Sequence, residues 1–216
     1  MVYIHVCKKT DVKHTKDTNV PLKKLGISIL VFIAIIGFLF VNGTFEDFIK
    51  GLEEDAKKND DKRLEEQQRS ITANQEEKRQ AVITMIHQSI NEERTDRGLA
   101  PLSWNVKIAQ AAHNHSTDMA SRNYFQHDSP EGYDFSWRYS QVGFSCSGHS
   151  AENIMSLNGY RSDYSIATVT VNGWMDSPGH RANILSPYFQ SEGIGVAFGS
   201  HATKNVNDVY ITQNFC

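Results

Sequence analysis

Residues 174–185 read WMDSPGHRANIL, a short segment that carries both a helix signal and a candidate functional side chain. Ser177 followed by Pro178 is typical of the N-cap and first position of a helix, because proline lacks an N–H that is unsatisfied there anyway. His180 then lies in the first helical turn, where the helix dipole disfavours the imidazolium form. A neutral imidazole is the form that binds metals or accepts a proton.

Helical and strand patterns flank this segment in a consistent order. Apolar residues recur at helical spacing from Gln80 onward, Gly98 supplies a helix stop, and Asn105 can cap a second helix. Near the end of the chain, residues 193–198 and 209–215 read as two strands joined by a polar segment, which predicts an antiparallel hairpin. Helices followed by a short antiparallel sheet indicate an α+β fold.

The N-terminal part contains an uncharged apolar run, residues 25–45, long enough for a helix that crosses a membrane. Six lysines and only two aspartates precede it within residues 1–24, and an acidic-leaning stretch follows. This bias predicts a single-pass signal anchor with a cytoplasmic basic tail, and a cell-membrane protein whose later residues are extracytoplasmic. The alternative is a cleaved signal peptide, after which the protein would be secreted.

Residues 46–79 are rich in charged residues and glutamine, with no sustained apolar heptad, so we expect a solvated helical stalk or a flexible spacer. The folded domain is predicted to span residues 80–216. A formal net charge of −3 gives no electrostatic support for a nucleic-acid partner. The two exported cysteines, Cys146 and Cys216, are expected to form a disulfide, whereas Cys7 lies on the cytoplasmic side of the anchor.

Several motifs occur together with residues 174–185 in a fixed order. They are residues 90–94 (INEER), 98–105 (GLAPLSWN), 115–120 (HSTDMA), 125–130 (FQHDSP), 151–154 (AENI), 193–196 (GIGV) and 212–215 (TQNF). In this order and spacing the chain resembles the CAP superfamily of cysteine-rich secretory, antigen 5 and pathogenesis-related proteins, particularly its prokaryotic SCP-like members. The resemblance covers about residues 80–216.

The resemblance implies a three-layer α-β-α sandwich with a small antiparallel sheet, preceded here by the transmembrane helix and polar stalk. It also implies a helix from about Ser165 to Met175. Local propensity disagrees, since residues 168–171 are a β-branched run. Tertiary packing often overrides propensity, so we expect the helix.

The resemblance further implies a central cleft with two histidines and two acidic residues. By motif, His127 and His180 match the histidines and Glu152 matches one acid. Ser177 stands where animal members carry the second acid, which leaves Asp176, one residue earlier, as a possible substitute.

Imidazoles with a carboxylate suit Zn²⁺ or another divalent cation. Glu152 is the candidate catalytic residue, because it would hold a metal-bound water. The alternative is that Glu152 only hydrogen-bonds a histidine that ligates the metal. Taken singly, His127, His180 and Glu152 each have a structural alternative: a turn cap, a carbonyl contact, or a partner for buried N–H groups. His149 is expected to be a loop residue and His115 to face the core.

Two functions are compatible with these residues. The first is an extracytoplasmic ligand- or surface-interaction module held to the cell membrane by residues 25–45, with a lipid, glycan or protein ligand and a His/Glu cleft that binds a divalent metal. The second is a metal-assisted, protease-like hydrolase in which His127 and His180 hold the ion and Glu152 activates water. The missing second acid favours the interaction module.

Overall fold

The computed structural model describes residues 31–38, 44–159, 162–199 and 208–216. The predicted cytoplasmic tail, 1–24, and most of the predicted membrane span, 25–45, lie outside these residues. Among the residues that are described, no helix has both the length and the apolar character that a membrane crossing requires.

The chain divides into two compact units, Met1–Gln67 and Gln68–Cys216. In the first, residues 31–38 are helical. A long helix, α1, spans Thr44–Thr95 and therefore includes the whole charged stretch 46–79 as helix. Its positions 46–77 are exposed, as a run of charged residues requires, and its buried positions begin only at Val82.

The second unit contains the remaining helices and all the strands of the described chain. The helices are α2 (Val106–Arg122), α3 (Phe135–Gln141), α4 (Asp163–Asp176) and α5 (Pro178–Ile184). The strands are β1 (Ser103–Trp104), β2 (Ala151–Leu157), β3 (Ser191–Phe198) and β4 (Val209–Phe215).

The strands form one four-stranded sheet in the order β1-β3-β4-β2. β3 and β4 make the predicted antiparallel hairpin, with Gly195 opposite Thr212, and β2 pairs antiparallel with β4. The expected all-antiparallel sheet is wrong in one respect. β1 pairs parallel with β3, so the sheet is mixed. The two residues of β1 lie at the sheet edge directly after Leu102 and run in the same direction as β3.

Helices cover both faces of the sheet. Alternate residues of β3 face opposite ways, as in any strand. Ile194 and Val196 join the large apolar core formed with α1, α4 and α5. On the other face, a methyl group built on Gly193 or Gly195 would lie 2.0–2.1 Å from the backbone of α2. Only glycine allows this close approach of helix and strand.

Helix α4 forms where the family resemblance implied it, against the β propensity of its sequence. Ile166, Thr170 and Trp174 recur every four residues and are buried on its inner side. The hydroxyl of Thr170 donates to the carbonyl of Ile166 at 2.7 Å, so this buried polar group is satisfied within the helix. Burial of this stripe outweighs the small propensity cost of the β-branched residues.

Two links hold the end of the chain and α5 in position. The predicted disulfide Cys146–Cys216 is confirmed, with the two Cα atoms 5.7 Å apart. Arg94, buried on α1, donates to the carbonyls of Ile184 and Ser186 at 2.7 and 2.8 Å. These bonds attach the C-terminal end of α5 to the core, and α5 carries His180.

Candidate functional site

The three predicted site residues come from three separate elements. His127 lies in the loop after α2, Glu152 is the second residue of β2, and His180 lies in the first turn of α5. The resemblance to the CAP superfamily predicts that these three side chains converge.

Glu152 is the buried centre of the arrangement, with a side chain only 1% exposed. Its Oε1 accepts a hydrogen bond from His127 Nδ1 at 3.0 Å, and its Oε2 accepts one from Arg138 Nη2 at 2.6 Å. His115 Nε2 lies 3.9 Å from Oε1. A buried carboxylate needs such partners, since an unpaired charge in the interior is costly.

His127 is the exposed member of the site, with 53% of its side chain accessible. The hydrogen bond to Glu152 raises the pKa of His127, because it stabilises the protonated imidazole. It also fixes the tautomer, since Nδ1 must carry the hydrogen that it donates. The second ring nitrogen is therefore the one that remains for a ligand.

His180 has the opposite electrostatic character. Burial lowers its pKa, and the positive charge of nearby His127 lowers it further. The neutral form expected from the sequence is thus favoured, with burial as the larger cause. Ser177 does occupy the N-cap position of α5, yet its side chain makes no capping hydrogen bond.

Asp176 is the last residue of α4 and is exposed. The hydrogen bonds and ion pairs described for His127 and Glu152 do not include it. Asp176 as a substitute for the second acid of the family stays a prediction.

A buried chain of amides holds α5 against the sheet. Asn153 Nδ2 donates to the carbonyl of His180 at 3.3 Å and to Gln213 Oε1 at 3.0 Å. Asn183 Nδ2 in turn donates to Asn153 Oδ1 at 2.9 Å. Gln213 Nε2 donates to Glu192 Oε2 at 2.6 Å. These bonds fix the backbone position of His180 relative to β2 and hence to Glu152.

Sequence reasoning missed Arg138, the residue that compensates the charge of Glu152. Arg138 is 6% exposed and also donates to the carbonyl of Tyr133 at 3.1 Å. A signal was present in the sequence. Arg138 is three residues after Phe135 and adjacent to Tyr139, which places it beside the apolar side of a short helix. A basic residue on a buried side indicates a buried acidic partner.

The other histidines behave as the sequence indicated. His115 is buried on α2, and its Nε2 lies 3.1 Å from the carbonyl of Gln126. Burial lowers the pKa of His115 despite its proximity to Glu152. His149 is a loop residue whose ring stacks on Tyr188 at 4.8 Å between centroids.

A divalent cation needs several donor side chains that converge on one point. In the described parts of the chain, no group of three or more His, Cys, Asp or Glu side chains is arranged to hold a metal ion. His127 and His180 are a chemically suitable pair of nitrogen donors, and His127 must lose its proton to bind a metal ion. Glu152 fits the position of a carboxylate that orients a ligating histidine, rather than that of a third ligand.

The chain is similar to several known proteins. Residues 87–215 match the family model described as CAP, the cysteine-rich secretory protein family. YkwD of Bacillus subtilis strain 168, described as an uncharacterized protein, is 36% identical over 107 residues, which are 49% of this chain and 38% of YkwD. YlbC of the same organism, described as an uncharacterized membrane protein, is 33% identical over 124 residues, 56% of this chain and 30% of YlbC.

A solved structure shares the fold. It is an extracellular protein containing a SCP domain from Bacillus anthracis strain Ames, 28% identical in sequence, with a TM-score of 0.50 over 63% of this chain and 40% of that one. The chain spans well under half the length of these three relatives.

Proposed function

This chain belongs to the CAP family, the cysteine-rich secretory protein family, and from that membership we propose that it is a membrane-anchored extracytoplasmic interaction module. The proposed module presents the cleft of His127, Glu152 and His180 to a ligand or surface outside the cell, and the cleft takes up a divalent cation. YlbC is described as a membrane protein and the Bacillus anthracis relative as extracellular, which supports such a location.

The observation that carries the proposal is the burial and hydrogen bonding of Glu152. Both of its oxygens already accept hydrogen bonds, one from His127 and one from Arg138, and its side chain is 1% exposed. A general base must reach the water that it deprotonates. Glu152 is instead positioned to orient His127, which supports binding over the alternative of metal-assisted, protease-like hydrolysis.

Zn²⁺ or a similar cation would be held by His127 and His180, with Glu152 accepting the hydrogen bond of His127 Nδ1. Such an ion supplies a positively charged Lewis acid to which an oxygen-bearing ligand binds. The residues of the chain supply the rest. Arg138 keeps the carboxylate of Glu152 in place, and Asn153 holds the backbone of His180.

The metal proposal is tested on the full chain by equilibrium dialysis against Zn²⁺ followed by elemental analysis. We expect the double substitution His127→Ala and His180→Ala to remove one bound zinc per chain. His149→Ala is the matched control, because His149 stacks on Tyr188 outside the cluster, and it should leave the stoichiometry unchanged.

Zinc uptake that survives the double substitution would rule out this pair as the ligands. A panel of peptide and ester substrates is assayed in parallel on the same proteins. Turnover that depends on His127 and His180 would establish the hydrolase alternative instead.

The anchor is tested separately by protease shaving of intact cells. An extracytoplasmic domain attached through residues 25–45 should be released by added protease without cell lysis. Sequencing the N-terminus of the mature protein distinguishes a retained anchor from a cleaved signal peptide. A C-terminal domain that is protected until the cells are lysed would show the opposite topology.

A further inference from the structure

A second cleft, of about 380 Å³, opens between α2 and α3. Asp118 and Arg122 of α2 line one side, and Glu131, Tyr133 and Trp137 line the other. None of His127, Glu152 and His180 belongs to its lining. Its volume lies within the range of about 300–1,000 Å³ that is usual for small-ligand sites.

The wall of this cleft presents two flat aromatic rings to solvent. The rings of Tyr133 and Trp137 stack with centroids 4.0 Å apart and planes within 9° of parallel, and they are 42% and 41% exposed. Asp134, the N-cap of α3, accepts a hydrogen bond from the backbone N–H of Trp137 at 2.8 Å. The start of the helix therefore fixes the backbone position of Trp137.

The acidic and basic side chains of the lining are already paired within the protein. Arg122 bonds Glu131 at 2.5 Å and lies 3.4 Å from Asp118. Arg138, at the back of the cleft, pairs with Glu152 at 2.6 Å. A charged ligand would have to break one of these pairs. A neutral ligand with several hydroxyl groups can add hydrogen bonds to the same planar groups without separating them.

We propose that this cleft binds a neutral glycan. A sugar ring has an apolar C–H face that packs on an aromatic ring, and hydroxyl groups around its edge. Trp137 and Tyr133 supply the aromatic surface. The carboxylates of Asp118 and Glu131 and the guanidinium of Arg122 supply acceptors and donors at the edge.

This proposal goes beyond the cation cleft, and it relies on the proposed interaction function only in assigning a binding role. The two sites are adjacent, since Arg138 lines the glycan cleft and also holds Glu152. Their tests nevertheless separate, because no predicted metal ligand lines the glycan cleft. Glycan binding therefore persists in EDTA and in the His127→Ala variant.

The test is co-sedimentation of the full chain with insoluble chitin and cellulose, in a zwitterionic detergent without a sugar headgroup. We expect the chain to sediment with at least one of them, and soluble oligosaccharides of that glycan to release it. Trp137→Ala should weaken binding at least tenfold, and Trp137→Phe should retain most of it, because a flat ring is kept. Trp104→Ala is the matched control, since Trp104 is 39% exposed and lies outside the cleft.

Three results would overturn the proposal. The first is no sedimentation with either glycan. The second is equal loss of binding in Trp104→Ala and Trp137→Ala, which would mean that the aromatic pair is not the site. The third is binding that EDTA or His127→Ala abolishes, which would assign the glycan to the cation cleft.

Discussion

Glu152 shows how one buried side chain sets the properties of several others. Its hydrogen bond raises the pKa of His127, whereas burial lowers the pKa of His180, which also senses the charge on His127. The pKa values of the two histidines are thus driven in opposite directions from the ordinary value of 6.5 by different causes.

The histidine titrations follow from this arrangement. In metal-free protein, falling pH should protonate His127 first, above pH 6.5, and His180 only below pH 6.5. Glu152→Gln should lower the pKa of His127, because it removes the negative charge that stabilises the imidazolium, and His127→Ala should raise the pKa of His180. NMR titration of the ring protons measures both. Identical pKa values for the two rings, or no response of His180 to His127→Ala, would contradict the contacts described here.

The ion pair of Arg138 with Glu152 can be tested by substituting Arg138. Arg138→Leu should destabilise the protein by about 3 kcal/mol, because the buried Oε2 of Glu152 loses its charged partner while Oε1 keeps His127. The control is Arg97→Leu. Arg97 bonds Glu93 at the same 2.6 Å distance but is 47% exposed, so its loss should cost about 0.5 kcal/mol or less.

Urea unfolding of both variants measures the difference. Adding Glu152→Gln to Arg138→Leu should recover part of the lost stability, since no buried charge then remains. Equal stability of the Arg138 and Arg97 variants would mean that Glu152 is not buried as described.

At the scale of elements, the contact between α2 and β3 depends on the absence of side chains. Gly193 and Gly195 lie against the backbone of α2 at Ala109 and His113. Backbone atoms cannot move aside as the end of a flexible side chain can, so the helix must shift if a methyl group is added. The same helix carries His115, and the loop after it carries His127.

Gly195→Ala should therefore destabilise the fold by about 3 kcal/mol, the upper end of the usual overpacking range. Gly148→Ala is the control. Gly148 has no atom within 4 Å of an added methyl group, so its substitution should change stability by no more than about 0.5 kcal/mol. Thermal unfolding followed by circular dichroism compares the two. A Gly195→Ala protein of wild-type stability would contradict this packing.

For the whole molecule, the disulfide closes a large part of the second unit. Cys146 and Cys216 are 70 residues apart in sequence, so their bond restricts a long loop of the unfolded chain. The double substitution Cys146→Ser and Cys216→Ser should cost about 4 kcal/mol by the chain-entropy relation. Cys7→Ser is the control and should leave stability unchanged. Denaturant unfolding with and without a reductant measures the effect, and a reductant that changes nothing in wild-type protein would contradict it.

Features set by neighbouring residues were predicted from the sequence alone. The helical spacing after Gln80, the β3–β4 hairpin and the cap at Asn105 are examples. The side chain of Asn105 does accept hydrogen bonds from the backbone of Lys107 and Ile108. Such patterns repeat or end within a few residues, so local sequence suffices to identify them.

Strand β2 was not identified from the sequence, because its pattern lacks the usual alternation. Glu152, Asn153 and Ile154 are all buried in succession, two of them polar. Strand β1 was missed because two residues make no pattern. Both strands are defined by their pairing with β4 and β3, which only the folded chain supplies.

The amino-acid sequence by itself determined the helices after Gln80 and Asn105, the β3–β4 hairpin, the paired cysteines and the family likeness that selected His127, Glu152 and His180. Only the tertiary structure decided that Arg138 neutralises Glu152 and that two aromatic rings border a cleft between α2 and α3. The reason is physical. A helix period or a cap depends on adjacent residues, whereas the partners of Glu152 lie 14 and 25 residues away in the chain and are brought to it by packing.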